Sequence, residues 1–139
     1  MTFPGSIKQR FDLEGRIAVV TGASKGIGAA IALGLAEFGA KVVISSRKQD
    51  ALEQVKQLIE AAGGEAWARA CHVGDPEQCE NLVEAVMDRF GRIDILVNNA
   101  AINPYYGPLD QIPDAAYQKT LQVNLEGPRV LSNLVAQPM

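Results

Sequence analysis

The run Val19-Val20-Thr21-Gly22-Ala23-Ser24-Lys25-Gly26-Ile27-Gly28 constrains the fold more than any other part of the chain. An apolar β-type run, Ile17 to Val20, enters a glycine-rich turn, and a helical pattern opens directly after it. Phosphates bind at such a junction because the free N–H groups of the first helical turn point outward along the positive end of the helix dipole. Glycine there tolerates positive φ and lets the backbone approach a pyrophosphate with no Cβ in the way. The spacing is Gly-x-x-x-Gly-x-Gly, so it is neither Gly-x-Gly-x-x-Gly nor a Walker A loop, whose lysine precedes Ser or Thr rather than Gly26. A tight strand-to-helix turn without a ligand is the plainer alternative. The strand before it and the helix after it favour dinucleotide binding.

The remaining sequence alternates strand and helix patterns, which predicts an α/β fold. Residues Met1 to Gln9 read as a loose arm, and Phe11 to Arg16 as a turn into the first strand. The helix after the glycine turn carries Ile27, Ile31, Leu35 and Phe38 at helical spacing and stops at Gly39. Val42-Val43-Ile44 within Lys41 to Ser45 is apolar on both faces, as a parallel strand covered by helices on both sides should be. Asp50 and Glu53 read as a capping box for a helix with Leu52, Val55, Leu58, Ile59 and Ala62 on one face. Glu65 to Val73 reads as a third strand nearer the sheet edge. Asp75-Pro76-Glu77-Gln78 opens a helix with the face Leu82, Val83, Val86, Met87 and Phe90, ended by Gly91. Ile93 to Val97 is the fourth strand. A last helical region from Asp114 carries Tyr117, Leu121, Leu125, Leu131 and Leu134, and Pro128 should break it just after Asn124. Right-handed crossovers then predict a doubly wound parallel sheet ordered 3-2-1-4, with ligands beyond the carboxyl ends of strands one and four.

Three motifs carry a family resemblance. Thr21-Gly22-Ala23-Ser24-Lys25-Gly26-Ile27-Gly28 resembles the TGxxxGxG cofactor motif of the short-chain dehydrogenases/reductases. Asn98-Asn99-Ala100-Ala101 is similar to its NNAG motif with alanine in the last place, and Val123-Asn124-Leu125-Glu126-Gly127 to its VNxxG segment. The resemblance runs from Phe11 to Met139 and covers the front half of that family's Rossmann-like domain. It implies an oxidoreductase acting on a carbonyl or secondary alcohol, with a nicotinamide cofactor. Gly22, Ser24 and Ile27 would line its pyrophosphate and ribose, Gly26 and Gly28 would also bind the cofactor, and Asn99 and Ala100 would contact its other face. Asn98 reads as structural, its amide tying neighbouring strands together. Asn124 matches the asparagine of the family's Asn-Ser-Tyr-Lys tetrad. The family's Tyr-x-x-x-Lys helix has no counterpart here, since none of Tyr105, Tyr106 and Tyr117 is followed four residues later by lysine. Residues 1–139 are therefore expected to be a partial dinucleotide-binding domain, truncated before that helix and inactive alone. A non-catalytic nucleotide-binding or regulatory module, or an inert fragment, are the alternatives.

Cofactor choice is expected at the end of strand two. An NAD site usually offers Asp or Glu there for the ribose 2′-OH. This chain offers Ser45-Ser46-Arg47-Lys48, with no acid before Asp50. Arg47, with Ser46 beside it and Lys25 in the glycine turn, suits a 2′-phosphate, so NADP is expected over NAD. His72 stands where the family often has Asp for the adenine amino group, leaving backbone groups at Val73 to reach the ring. Ser45 to Gln49, Cys71 to Gly74 and Asn99 to Gly107 are similar to the NADPH-dependent carbonyl and retinol reductase subgroup. That likeness would place Tyr105 and Tyr106 at the lip of a substrate pocket.

Composition closes other classes. The formal net charge is −3, which disfavours a nucleic-acid partner. No apolar run approaches the roughly 18 residues of a membrane span, and no signal or transit pattern opens the chain. Cys71 and Cys79 form no disulfide framework, so a cytoplasmic setting is expected, with the thiols buried rather than bound to metal. The whole protein is expected to be a homo-oligomer acting on a small molecule.

Overall fold

The computed structural model describes residues 5–139. A short 3-10 turn, Lys8–Phe11, leads into β1 (Ile17–Thr21), α1 (Gly26–Glu37), β2 (Lys41–Ser46), α2 (Gln49–Ala61), β3 (Glu65–Ala70), α3 (Pro76–Phe90) and β4 (Ile95–Val97). A second 3-10 turn, Leu109–Gln111, precedes α4 (Asp114–Leu121), a π-helical segment (Gln122–Glu126) and α5 (Gly127–Ala136). The four strands are parallel and ordered β3-β2-β1-β4, with Val19 between Val43 and Leu96 in register. The predicted sheet order is the observed one. Of the expected N-terminal arm, Met1 to Pro4 lie outside the described residues, and Lys8–Phe11 is helical rather than loose.

Alternation along the central strands divides the core in two. Ala18 and Val20 of β1 and Val42 and Ile44 of β2 pack with α1 and α2. Ile17, Val19 and Val43 pack on the other face with α3 and α5. Both faces are covered, so all five residues of β1 are buried.

Two helices turn inward only part of the face their large apolar residues suggest: Ile31 and Leu35 of α1 pack against the core, and Leu131 is buried. In α1 the buried residues are Gly28, Ala32 and Ala36, while Ile27 is 75% exposed and Phe38 51%. A stripe of small residues lets the helix axis approach the sheet, and close approach favours small side chains over large ones there. Past α4, the buried face is Val123, Gly127, Leu131 and Val135, whereas Tyr117, Leu121 and Leu125 are exposed. The reason is the π segment at Gln122–Glu126, which takes up one extra residue and turns the following face by about 100°. The break expected near Asn124 is this segment, with Pro128 in the turn after it.

Smaller differences have local causes. The capping box at Asp50 and Glu53 does not form, because α2 starts at Gln49 and Lys48 makes no side-chain cap. Gln49 instead spans from α2 to β3: its Nε2 donates to Glu53 Oε1 (2.8 Å) and Ala68 O (3.1 Å), and its Oε1 accepts from Ala70 N–H (2.9 Å). Leu58 is 66% exposed, and Ala62 lies past the helix end. At α3, Asp75 caps the N–H groups of Glu77 and Gln78 as expected. The Gln78 side-chain Oε1 reaches past the cap to accept from His72 N–H at 2.9 Å. β3 ends at Ala70, and β4 begins at Ile95 rather than Ile93.

The residue before β4 explains that late start. Asp94 accepts from Ile17 N–H (2.8 Å) and Arg16 Nη1 (3.3 Å) and pairs with Arg92, with its side chain 12% exposed. The hydrogen bond from Arg92 first, then that from the Ile17 N–H, holds the Asp94 carboxyl below its ordinary 3.8. A lowered folded value stabilises the fold above the unfolded value and fades as pH falls through the folded one. Asp94→Asn is expected to cost about 1–2 kcal/mol at pH 7 and less at pH 2.5, read from urea midpoints at both pH values. An equal loss at the two pH values would refute the role of its charge.

Candidate functional site

Beyond the carboxyl ends of β1 and β4, the glycine turn is a close-packed backbone junction. Gly22 (φ +64) and Gly26 (φ +57) sit in the left-handed region that glycine alone adopts readily. A Cβ on Gly22 would lie 2.8 Å from both Ala100 Cα and Asn99 Nδ2. A Cβ on Gly28 would lie 2.3 Å from the Gly22 carbonyl oxygen. Lys25, the N-cap of α1, makes no side-chain capping bond, so no side chain from the cap competes for the first-turn N–H groups.

Thr21 and Asn99 join the turn to the end of β4. The Thr21 hydroxyl donates to Val97 O (3.3 Å) and accepts from the N–H groups of Asn99 (3.1 Å) and Ala100 (3.0 Å). In return Asn99 Nδ2 donates to Thr21 O (3.0 Å) and Gly22 O (3.2 Å). The inter-strand tie expected of Asn98 therefore belongs to Asn99. Asn98 is exposed and donates from Nδ2 to Ser132 Oγ of α5 at 3.2 Å. One register step decides this, since neighbouring side chains at a strand end face opposite ways.

These elements surround a cavity of about 420 Å³. Its lining includes every cofactor-site residue expected from the sequence: Gly22, Ser24, Lys25, Gly26, Ile27, Gly28, Ser46, Arg47, Val73, Asn99 and Ala100. Cys71, His72, Ala101, Ile102, Lys119 and Val123 complete the wall. Sequence reasoning missed Thr21 as the hydroxyl that holds the floor, and Lys119. The first hint of Thr21 is a polar residue ending an otherwise apolar strand. Lys119 lies on a helix distant in sequence, and nothing in its neighbours marks it.

No Asp or Glu lines the cavity, whereas Lys25, Arg47 and Lys119 do. His72 Nδ1 accepts from Gly74 N–H at 3.0 Å, which leaves the proton of a neutral ring on Nε2. Cys71 and Cys79 are free and buried, and among the described residues no group of three His, Cys, Asp or Glu could hold a metal. A hydrogen bond with Cys79, then burial, pushes the Cys71 thiol up, so it is a packing group rather than a nucleophile. The lining fits a nicotinamide dinucleotide: glycine backbone and an uncapped helix start for phosphates, cations beside them, and no carboxylate to repel them.

Asn124 stands outside the lining and does something definite. Its Oδ1 accepts from Ile102 N–H (2.8 Å) and its Nδ2 donates to Ile102 O (2.9 Å). This two-point clamp holds the loop after β4 against the π segment, and Ile102 lines the cavity. Neither loop tyrosine reaches that cavity: Tyr105 donates to Pro108 O at 3.2 Å, and Tyr106 is 98% exposed.

Residues 16–139 match the model of the short chain dehydrogenase family. The chain belongs to that family. This short-chain dehydrogenase chain is 39% identical over 131 residues to human dehydrogenase/reductase SDR family member 4, covering 94% of this chain and 47% of that protein. It spans about half the length of the curated relatives it matches. A metagenomic short-chain oxidoreductase solved in complex with NADP superposes with a TM-score of 0.88 at 41% identity, covering 92% of this chain and 58% of that one. An NAD+-bound xylitol dehydrogenase superposes at 0.87 with 31% identity, covering 91% of this chain and 49% of that one. Among the described residues, no helix is long and apolar enough to cross a membrane.

Proposed function

We propose that these residues are the cofactor-binding half of an NADP-dependent oxidoreductase that interconverts a small carbonyl compound and a secondary alcohol. The carrying observation is the cavity at the ends of β1, β2 and β4: Arg47 and Lys25 line it, and no carboxylate does. Gly22, Ser24, Gly26, Ile27 and Gly28 would hold the pyrophosphate and ribose, with Ser46, Arg47 and Lys25 at the 2′-phosphate. Val73 would face the adenine, and Asn99 and Ala100 the nicotinamide side. When bound, the nicotinamide supplies a hydride donor or acceptor. Asn124 acts on its surroundings through the Ile102 clamp, and in this reading it orders the loop that borders the reacting end. A carbonyl reduction also needs a proton donor of lowered pKa. No tyrosine in these residues has the partner lysine four places on. The whole protein, in this reading, is a cytoplasmic homo-oligomer.

Titration of NADPH and NADH into the 139-residue chain, followed by intrinsic fluorescence, tests the proposal. NADPH is expected to bind about tenfold or more tightly than NADH, as one charge-assisted contact provides. Arg47→Asp should narrow or reverse the gap. Equal affinities in the unsubstituted chain would overturn the NADP assignment. Added ketones and aldehydes should cause no NADPH oxidation, and any turnover would show that these residues do contain a working proton donor.

A further inference from the structure

The cavity wall has a charge on the side away from the glycine turn. Lys119, on α4, lines both this cavity and a neighbouring open one between α4 and the start of α3. Its ammonium group makes no hydrogen bond or ion pair to any described residue. The carboxylate that shares its second cavity is Asp75, which is occupied by the Gln78 amide and by the N–H groups of Glu77 and Gln78. Three elements distant in sequence, the β1–α1 turn, the end of β2 and α4, thus each bring one cation to a single cavity. The chain as a whole carries more acids than bases, 16 against 13, so a carboxylate-free cavity with three cations departs from its average. A solvated lysine on a helix is common, but it has no reason to coincide with the other two.

Resting on the dinucleotide reading above, we propose that Lys119 is a further ligand-binding residue of this cavity. It attracts the anionic dinucleotide as a whole and does not distinguish a 2′-phosphate, because the second cavity it lines is shared with His72 and Val123 and not with Ser46 or Arg47 at the end of β2. Arg47 selects between cofactors; Lys119 raises affinity for both. A partly exposed charge acts through a screened field, so its effect should be modest and fall with salt.

The test compares Lys119→Gln, Lys119→Arg and the unsubstituted chain with NADPH, NADH and adenosine at 20 mM and 500 mM NaCl, with far-UV circular dichroism checking the fold. Lys119→Gln is expected to weaken both dinucleotides by a similar factor, roughly three- to tenfold at low salt, and far less at high salt. Lys119→Arg should retain the affinity, and adenosine, having no phosphate, should be unaffected in all three. Unchanged dinucleotide affinity in a folded Lys119→Gln chain would overturn the proposal while leaving the cofactor reading intact. A loss confined to NADPH would overturn it by placing Lys119 at the 2′-phosphate. A loss that extends to adenosine and persists in high salt would overturn it in favour of a packing role. Failure of the unsubstituted chain to bind either dinucleotide would overturn both readings together.

Discussion

Replacing Gly28 by valine is expected to abolish dinucleotide binding and to destabilise the fold. The substituted Cβ would stand 2.3 Å from Gly22 O and 2.5 Å from Asn99 Nδ2. Neither neighbour is a flexible tip. The first is backbone of the glycine turn, and the second is the amide that holds the turn to β4. Relief therefore requires α1 to lift from the sheet or the turn to open, and either change dismantles the cavity floor. Even Gly28→Ala should cost on the order of 3 kcal/mol, at the upper end of overpacking. Gly34→Ala is the control: nothing lies within 4 Å of its added methyl, so it should be neutral or stabilising by up to about 1 kcal/mol. Urea melts and NADPH titrations of the three variants check this. Normal binding by a folded Gly28→Val chain would show that the close approach is dispensable.

Thr21→Val has the second largest expected effect, and it acts without any change of shape. Thr21 is 1% exposed, and its hydroxyl is the acceptor for two N–H groups, those of Asn99 and Ala100. Valine fills the same volume but leaves the Ala100 N–H without its acceptor, while the Asn99 N–H keeps its second one, Val97 O at 3.1 Å. One unsatisfied group costs about 1–3 kcal/mol, so a loss of about that size is expected, together with weaker dinucleotide binding through Ala100. Thr21→Ser keeps the hydroxyl and should cost only about 1 kcal/mol for the missing methyl. The comparison of urea midpoints isolates the hydroxyl. Equal losses for serine and valine would assign the effect to packing instead.

The contrast between these two residues shows how much of the site was legible beforehand. Gly28 announced itself, because glycine at fixed offsets between a strand and a helix has few other uses. Thr21 did not, since its acceptor role depends on Asn99 and Ala100, which lie 78 and 79 residues away. The same limit separates Arg47 from Lys119. Arg47 follows directly from the end of a recognisable strand, whereas Lys119 reaches the cavity only because α4 folds back beside the loop that leads into α3. Asn98 and Asn99 differ in the same way: two adjacent asparagines are equivalent in composition, and only the register of β4 decides which one faces β1.

The sequence by itself determined the parallel sheet, its strand order, the glycine turn and much of the cavity lining, because each rests on local pattern or on a general rule of chain crossover. Only the tertiary structure decided which faces of α1 and α5 turn inward. In α1 that choice follows from how near the helix lies to the sheet, a distance that selects Gly28, Ala32 and Ala36 over larger neighbours. After α4 it follows from the extra residue in the π segment, which rotates Leu131 and Val135 into the core and leaves Leu125 outside. Side-chain periodicity reports what a helix could bury. Inter-element distance and local hydrogen-bond register decide what it does bury.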